Sequence, residues 1–145
     1  HWFTLLRHSD YTIEYHVRPF SVEESRNIFV TNPKNLSLEE MFRLALTHTP
    51  GSETYNKIFM TAVQLFPDNP VANLNAACIS LMQRDVKSAG HYLEKAPEVP
   101  ETALAKGVLY LLKNQYEEAE SFFRQAKAAG LSQADDNLKR ILELK

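Results

Sequence analysis

The sequence predicts an all-α chain, a stack of antiparallel helical hairpins led in by one short N-terminal β-strand. Three observations predict it. Apolar residues recur at helical spacing through most of the 145 residues. Residues that start and stop helices punctuate that pattern at short intervals. Two segments also repeat each other, "DVKSAGHYLEKA" (85–96) and "QYEEAESFFRQA" (115–126), pairing Ala89 with Ala119, Leu93 with Phe123 and Ala96 with Ala126. The spacing small–x3–large–x2–small puts all three on one helical face. There the small residues let helix backbones approach, and the large one fills the space between neighbouring pairs.

The strand comes first. In "YTIEYHVRPF" (11–20), Tyr11, Ile13, Tyr15 and Val17 alternate with Thr12, Glu14, His16 and Arg18, and Pro19 closes the run. A strand needs a neighbour for its N–H and C=O groups, and almost everything after this one is helical. It is expected to pair with the same strand of a second molecule, giving a dimer through residues 11–18, or to lie against the helices. The chain begins at His1 rather than Met. It reads as a processed or excised piece, with a strand-bearing N-terminal segment at 1–20 and a helical domain at 21–145.

The helices follow in order. Ser21 with Glu24, and Ser37 with Glu40, spell capping boxes, in which each side chain bonds the other residue's free backbone N–H. The first predicts a helix from Ser21 that "TNPKN" stops, and the second a helix through about His48, broken by Pro50 and Gly51. Ser52 caps a third helix with an apolar face of Tyr55, Ile58, Phe59, Ala62, Val63 and Phe66, ended by "PDNP". Asn69 caps a fourth, with Pro70 in the first helical place, where its missing N–H costs nothing. Residues 70–83 and 86–96 then form a pair turning near Arg84-Asp85. Residues 100–113 and 116–129 repeat it, turning at Asn114-Gln115. Gly130 ends that pair, and a last helix is lined by Leu138, Ile141, Leu142 and Leu144. If the turn at Arg84 needs a positive φ, it costs on the order of 1 kcal/mol, and Asn114 tolerates the same turn better.

A chain of this length buries roughly 70% of the surface its unfolded form exposes, and 44% of its residues are apolar, so a real core is expected. The formal charge is −2, with sixteen Lys and Arg scattered along the chain. Nucleic-acid binders cluster such residues against phosphates, and none is expected here. No apolar run approaches the ~20 residues of a membrane span. Cys78 is the only cysteine, which excludes an internal disulfide and a cysteine-based zinc site; among Ala76, Ala77 and Ile79 it reads as a buried, inert thiol. The five His show no H-E-x-x-H spacing. Paired carboxylates such as Glu39-Glu40 and Glu117-Glu118 sit in first turns, where they complement the helix dipole. No G-x-S-x-G turn or phosphate loop is present. The expectation is a protein without catalysis, metal or cofactor.

The repeated pair resembles the tetratricopeptide repeat, whose first helix reads W-x2-L-G-x2-Y and whose second reads A-x3-F-x2-A. The last pair fits best, through Gly107, Tyr110, Tyr116, Ala119, Phe123 and Ala126. The middle pair fits through Ala76, Ala77, Ala89, Leu93 and Ala96, and a degenerate first pair through Leu44, Ala45, Tyr55, Phe59, Ala62 and Pro67. There are departures. Ala89 and Ala119 lie 30 residues apart, where the repeat length is about 34, and Lys106 stands where the family prefers Leu. In nearly its whole length the chain is also similar to the C-terminal part of envelope proteins of Bacteroides-type bacteria, a poorly characterised family often encoded beside fimbrial-type genes. "YHVRPFSVEESRNIF", "LSLEEMFRLA", "AVQLFPDNPVANLNAA" and "GVLYLLKNQYEEAESFFRQAKAAG" carry that similarity. It implies an upstream OmpA-like, cell-wall-associated domain whose last strand is the one above. It also implies a periplasmic or outer-membrane-associated location and an envelope or fimbrial component as partner.

In such stacks the first helix of each pair lines the concave side. The residues expected there are Phe42 and Leu46, then Val71, Leu74, Asn75 and Cys78, then Leu104, Val108 and Leu111. They would form an apolar groove for a protein or peptide segment, or would already be covered by neighbouring helices or by the start of the chain. The expected function is a non-catalytic interaction scaffold in assembly of surface structures. The alternative is a structural spacer or stabiliser of the upstream domain.

Overall fold

A computed structural model describes residues 20–144, and among them are eight α-helices and no strand. The strand expected at 11–18, with any pairing through it, lies outside the described residues. The helices are α1 (Val22–Thr31), α2 (Leu38–Ala45), α3 (Glu53–Leu65), α4 (Pro70–Met82), α5 (Val86–Leu93), α6 (Pro100–Leu112), α7 (Tyr116–Ala128) and α8 (Gln133–Leu144), with a 3₁₀ turn at Pro33–Asn35. Helices α2 and α3, α4 and α5, and α6 and α7 pack as consecutive pairs. Helix α3 also touches α4, α5 touches α6, and α4 touches α6, while α1 and α8 pack at the two ends, on α2 and α7.

Local chemistry sets the helix starts. Both capping boxes form: Ser21 Oγ accepts from Glu24 N–H, whose carboxylate accepts from Ser21 N–H, and Ser37 and Glu40 do the same. Ser52 caps α3 through Tyr55 N–H and Asn69 caps α4 through Ala72 N–H. Asp85 caps α5. Hydrogen bonds donated by the Ser88 hydroxyl and backbone N–H hold the Asp85 carboxyl below the usual carboxylate range. A depressed folded pKa means that this cap stabilises fully above the ordinary Asp value and is lost as pH falls through the lowered one.

The hairpin turns are built alike. Arg84 and Asn114 have φ of 59° and 61°. In the first turn Arg84 N–H bonds Leu81 C=O and Asp85 N–H bonds Ser80 C=O. In the second, Asn114 N–H bonds Leu111 C=O and Gln115 N–H bonds Tyr110 C=O. Each is a Schellman motif, which satisfies the last helical carbonyls by sending one residue left-handed. Gly130, at φ 100°, closes α7 with the same two bonds. An L side chain pays about 1–2 kcal/mol in that region, so Arg84→Gly is expected to raise unfolding stability by about 0.5–1 kcal/mol after the entropy gained by the unfolded chain is subtracted. Chemical denaturation checks it. An unchanged or lower midpoint would mean that Arg84 carries no such strain.

Two helices stop earlier than their periodicity suggests. Helix α5 ends at Leu93 rather than Ala96 because Pro97 disfavours helical backbone at the residue before it and has no N–H to continue the ladder. Its last bonds tighten to i+3, Lys95 to Tyr92 and Ala96 to Leu93. Helix α2 ends at Ala45 rather than near His48: Thr47 and His48 also bond three residues back, and Thr47 Oγ1 bonds Leu44 C=O.

The core falls into two clusters that share α4. Ala72, Ala76 and Ile79 face a cluster with Met41, Phe42, Ile58, Phe59 and Ala62, while Leu74, Ala77, Cys78 and Leu81 face another with Leu93, Leu104, Val108, Phe123 and Ile141. This explains why every residue of α4 from Ala72 to Leu81 is buried, polar ones included. Asn73 is buried in the first turn of α4. Its Nδ2 donates to Pro67 and Asn69 carbonyls and so holds the "PDNP" turn. Thr102 Oγ1 holds the "PEVP" turn the same way, through Pro97 C=O.

Candidate functional site

The nine residues expected along a first-helix groove do not form one exposed surface. Phe42, Leu74, Asn75, Cys78, Leu104 and Val108 are 6% exposed or less. Phe42 belongs to one core cluster, and Leu74, Cys78, Leu104 and Val108 are brought together in the other. Val71 and Leu111 are half-buried against those clusters, and only Leu46 is exposed, at 44%. The cause is the close stacking of α4 on α6, which turns side chains of two first helices toward each other. Burial pushes the Cys78 thiol far up from its ordinary pKa, so it holds its proton at neutral pH. A thiol reagent is expected to leave Cys78 unmodified in the folded chain and to label it only as fast as the chain unfolds. Rapid stoichiometric labelling under native conditions would contradict this placement.

An open cleft lies among α5, α6 and α7. Its volume is about 550 Å³. Helix α6 supplies Lys106, Leu109 and Tyr110 and its C-cap Lys113, α5 supplies Lys87, Gly90, His91 and Leu93, and Phe122 comes from α7. Tyr110 and Phe122 stack with centroids 5.4 Å apart and planes 7° from parallel. Lys106 Nζ sits 5.9 Å from the Phe122 centroid, and Lys113 Nζ 5.4 Å from that of Tyr110. Each ammonium is thus held over a ring face, with its carbon stem along apolar surface. Among the described residues, no carboxylate oxygen lies within 4.0 Å of Lys87, Lys106 or Lys113.

The cleft is charged unevenly. Helices α5 and α6 run antiparallel, so Lys87 at the start of α5 lies toward Lys113 at the end of α6. Glu94 and Glu98 line the opposite end, near the start of α6. Gly90 keeps the floor open: a Cβ there would only touch Leu109 Cδ2, at 4.0 Å, and would project into space that is now free. The arrangement suits recognition of an anionic group beside apolar surface. Among the described residues, no three His, Cys, Asp or Glu side chains converge as a metal site would require.

Sequence reasoning passed over this cleft. Its signal was present, because Lys106, Tyr110 and Lys113 fall at i, i+4 and i+7 on one helical face. Lys106 also stood out as a departure from Leu. Comparison with known proteins assigns no family: no protein-family model matches the chain, and no curated protein matches it.

Proposed function

We propose that this chain is a non-catalytic protein-interaction module, a divergent tetratricopeptide-like stack within a bacterial cell-envelope protein that takes part in assembling surface structures. The observation that carries this reading is the thirty-residue recurrence from α4–α5 to α6–α7. Equivalent helices start at Pro70 and Pro100 and equivalent turns use Arg84 and Asn114. Such stacks build extended binding surfaces. The envelope setting rests on the resemblance of the four quoted segments alone.

A second reading, a spacer or stabiliser of an upstream domain, has its own support. The backbone of Phe20 is held by α2: its N–H donates to Glu40 Oε2 at 2.7 Å and its C=O accepts from Arg43 Nη1 at 3.3 Å. Residue 20, where the helical domain begins, is thereby tied to the helices.

The two readings separate in the bacterium that makes the protein. A photoreactive residue placed singly at the exposed positions Leu46, His91, Lys113 and Arg140 samples several faces. The interaction reading expects a discrete protein adduct from at least one of them. No adduct from any, in a chain that is folded and normally abundant, would overturn it in favour of the spacer.

A further inference from the structure

We propose that the α5–α7 cleft docks an extended segment of a partner protein that presents a carboxylate flanked by apolar side chains. The inference rests on the interaction-module reading and names the surface and the partner's chemistry.

Charge complementarity carries it. Lys106 and Lys113 extend over stacked rings in one cleft, and among the described residues neither forms an ion pair. An ammonium presented over a ring face in this way can donate charge-assisted hydrogen bonds to a carboxylate. Beside them the bare backbone of Gly90, with half-buried Val86, Tyr110 and Phe122, offers apolar surface for neighbouring side chains. A volume of about 550 Å³ accommodates a few side chains of a segment and not a folded domain. Glu94 and Glu98 at the far end select against a polyanion such as nucleic acid, which would bring a second phosphate against them, and they orient the segment with its acidic group toward Lys113. The first-helix face does not compete for this role, because its apolar side chains are already packed.

The test selects short random peptides displayed on phage against the full 145-residue chain. Enriched peptides are expected to carry Asp or Glu next to aromatic or aliphatic residues. Binding of a synthetic copy should weaken by about tenfold or more in the Lys106→Glu/Lys113→Glu double variant. Gly90→Leu should weaken it similarly by filling the floor, and thermal melting should show both chains folded. No enrichment, enriched peptides without acidic residues, undiminished binding by both variants, or tighter capture of a single-stranded oligonucleotide would each overturn the proposal. If a partner found by photocrosslinking binds the Gly90→Leu chain undiminished, the cleft assignment falls while the interaction module stands.

Discussion

Phe123→Ala is expected to lower the unfolding free energy by about 3–5 kcal/mol, the loss typical of a large aromatic removed from a closed core. Phe123 is fully buried on the inner face of α7. Its ring occupies the place where Gly107 of α6 has no side chain: a Cβ at Gly107 would lie 2.5 Å from Phe123 Cε1 and 2.6 Å from Cδ1. The glycine is therefore kept for space. Gly107→Ala improves helix propensity by up to about 1 kcal/mol, but the overlap costs about 1–3 kcal/mol in a packed core, and the net result expected is destabilisation. In a Phe123→Leu background that penalty should shrink, giving a coupling of about 1 kcal/mol between the two positions. Urea denaturation of the two single variants and the double variant measures it. A Gly107→Ala chain at least as stable as the parent would show that α6 and α7 are not interlocked here. Because the interlock also fixes Tyr110 against Phe122, Phe123→Ala should weaken any ligand held in the cleft.

The second large effect is at Glu40. This side chain is 5% exposed and bridges two segments: Oε1 accepts from Ser37 N–H at 2.9 Å, closing the cap of α2, and Oε2 accepts from Phe20 N–H. Removing a buried acceptor strands both donors, and a hydrogen bond to a charged group is worth about 1.5–3 kcal/mol net, less where water can replace the lost partner. Glu40→Ala is expected to cost about 2–3 kcal/mol and Glu40→Gln roughly half of that, since an amide oxygen can still serve one donor. Amide exchange at Phe20 should accelerate in both. A loss under about 0.5 kcal/mol, with Phe20 exchange unchanged, would mean that Phe20 is not tied to α2.

Much of the helical order was legible because it is written in local chemistry. Ser21, Ser37, Ser52 and Asn69 cap where their spelling suggested, Pro70 and Pro100 open helices, and Arg84 and Asn114 turn where a positive φ was suspected. What was not legible depends on three-dimensional packing. The apolar pattern of α4 marks its residues as facing something without saying whether that is a partner or α6, so Leu74 and Cys78 read equally well as groove or core. Pro97 shortens α5 by an effect of one residue on its predecessor, which a helical-face count overlooks. The cleft arises from residues of three helices, Gly90, Lys106, Tyr110 and Phe122 among them, that only folding brings together.

The central claim is that the stack buries its first-helix side and leaves the second-helix cleft as the surface for recognition. Hydroxyl-radical footprinting of the native chain, read residue by residue by mass spectrometry, tests it most directly. The account predicts oxidation of Leu46, Tyr110 and Phe122, with Leu74, Cys78, Leu104 and Val108 protected until the chain unfolds. Ready oxidation of those four in the folded chain, with Tyr110 and Phe122 protected, would contradict it.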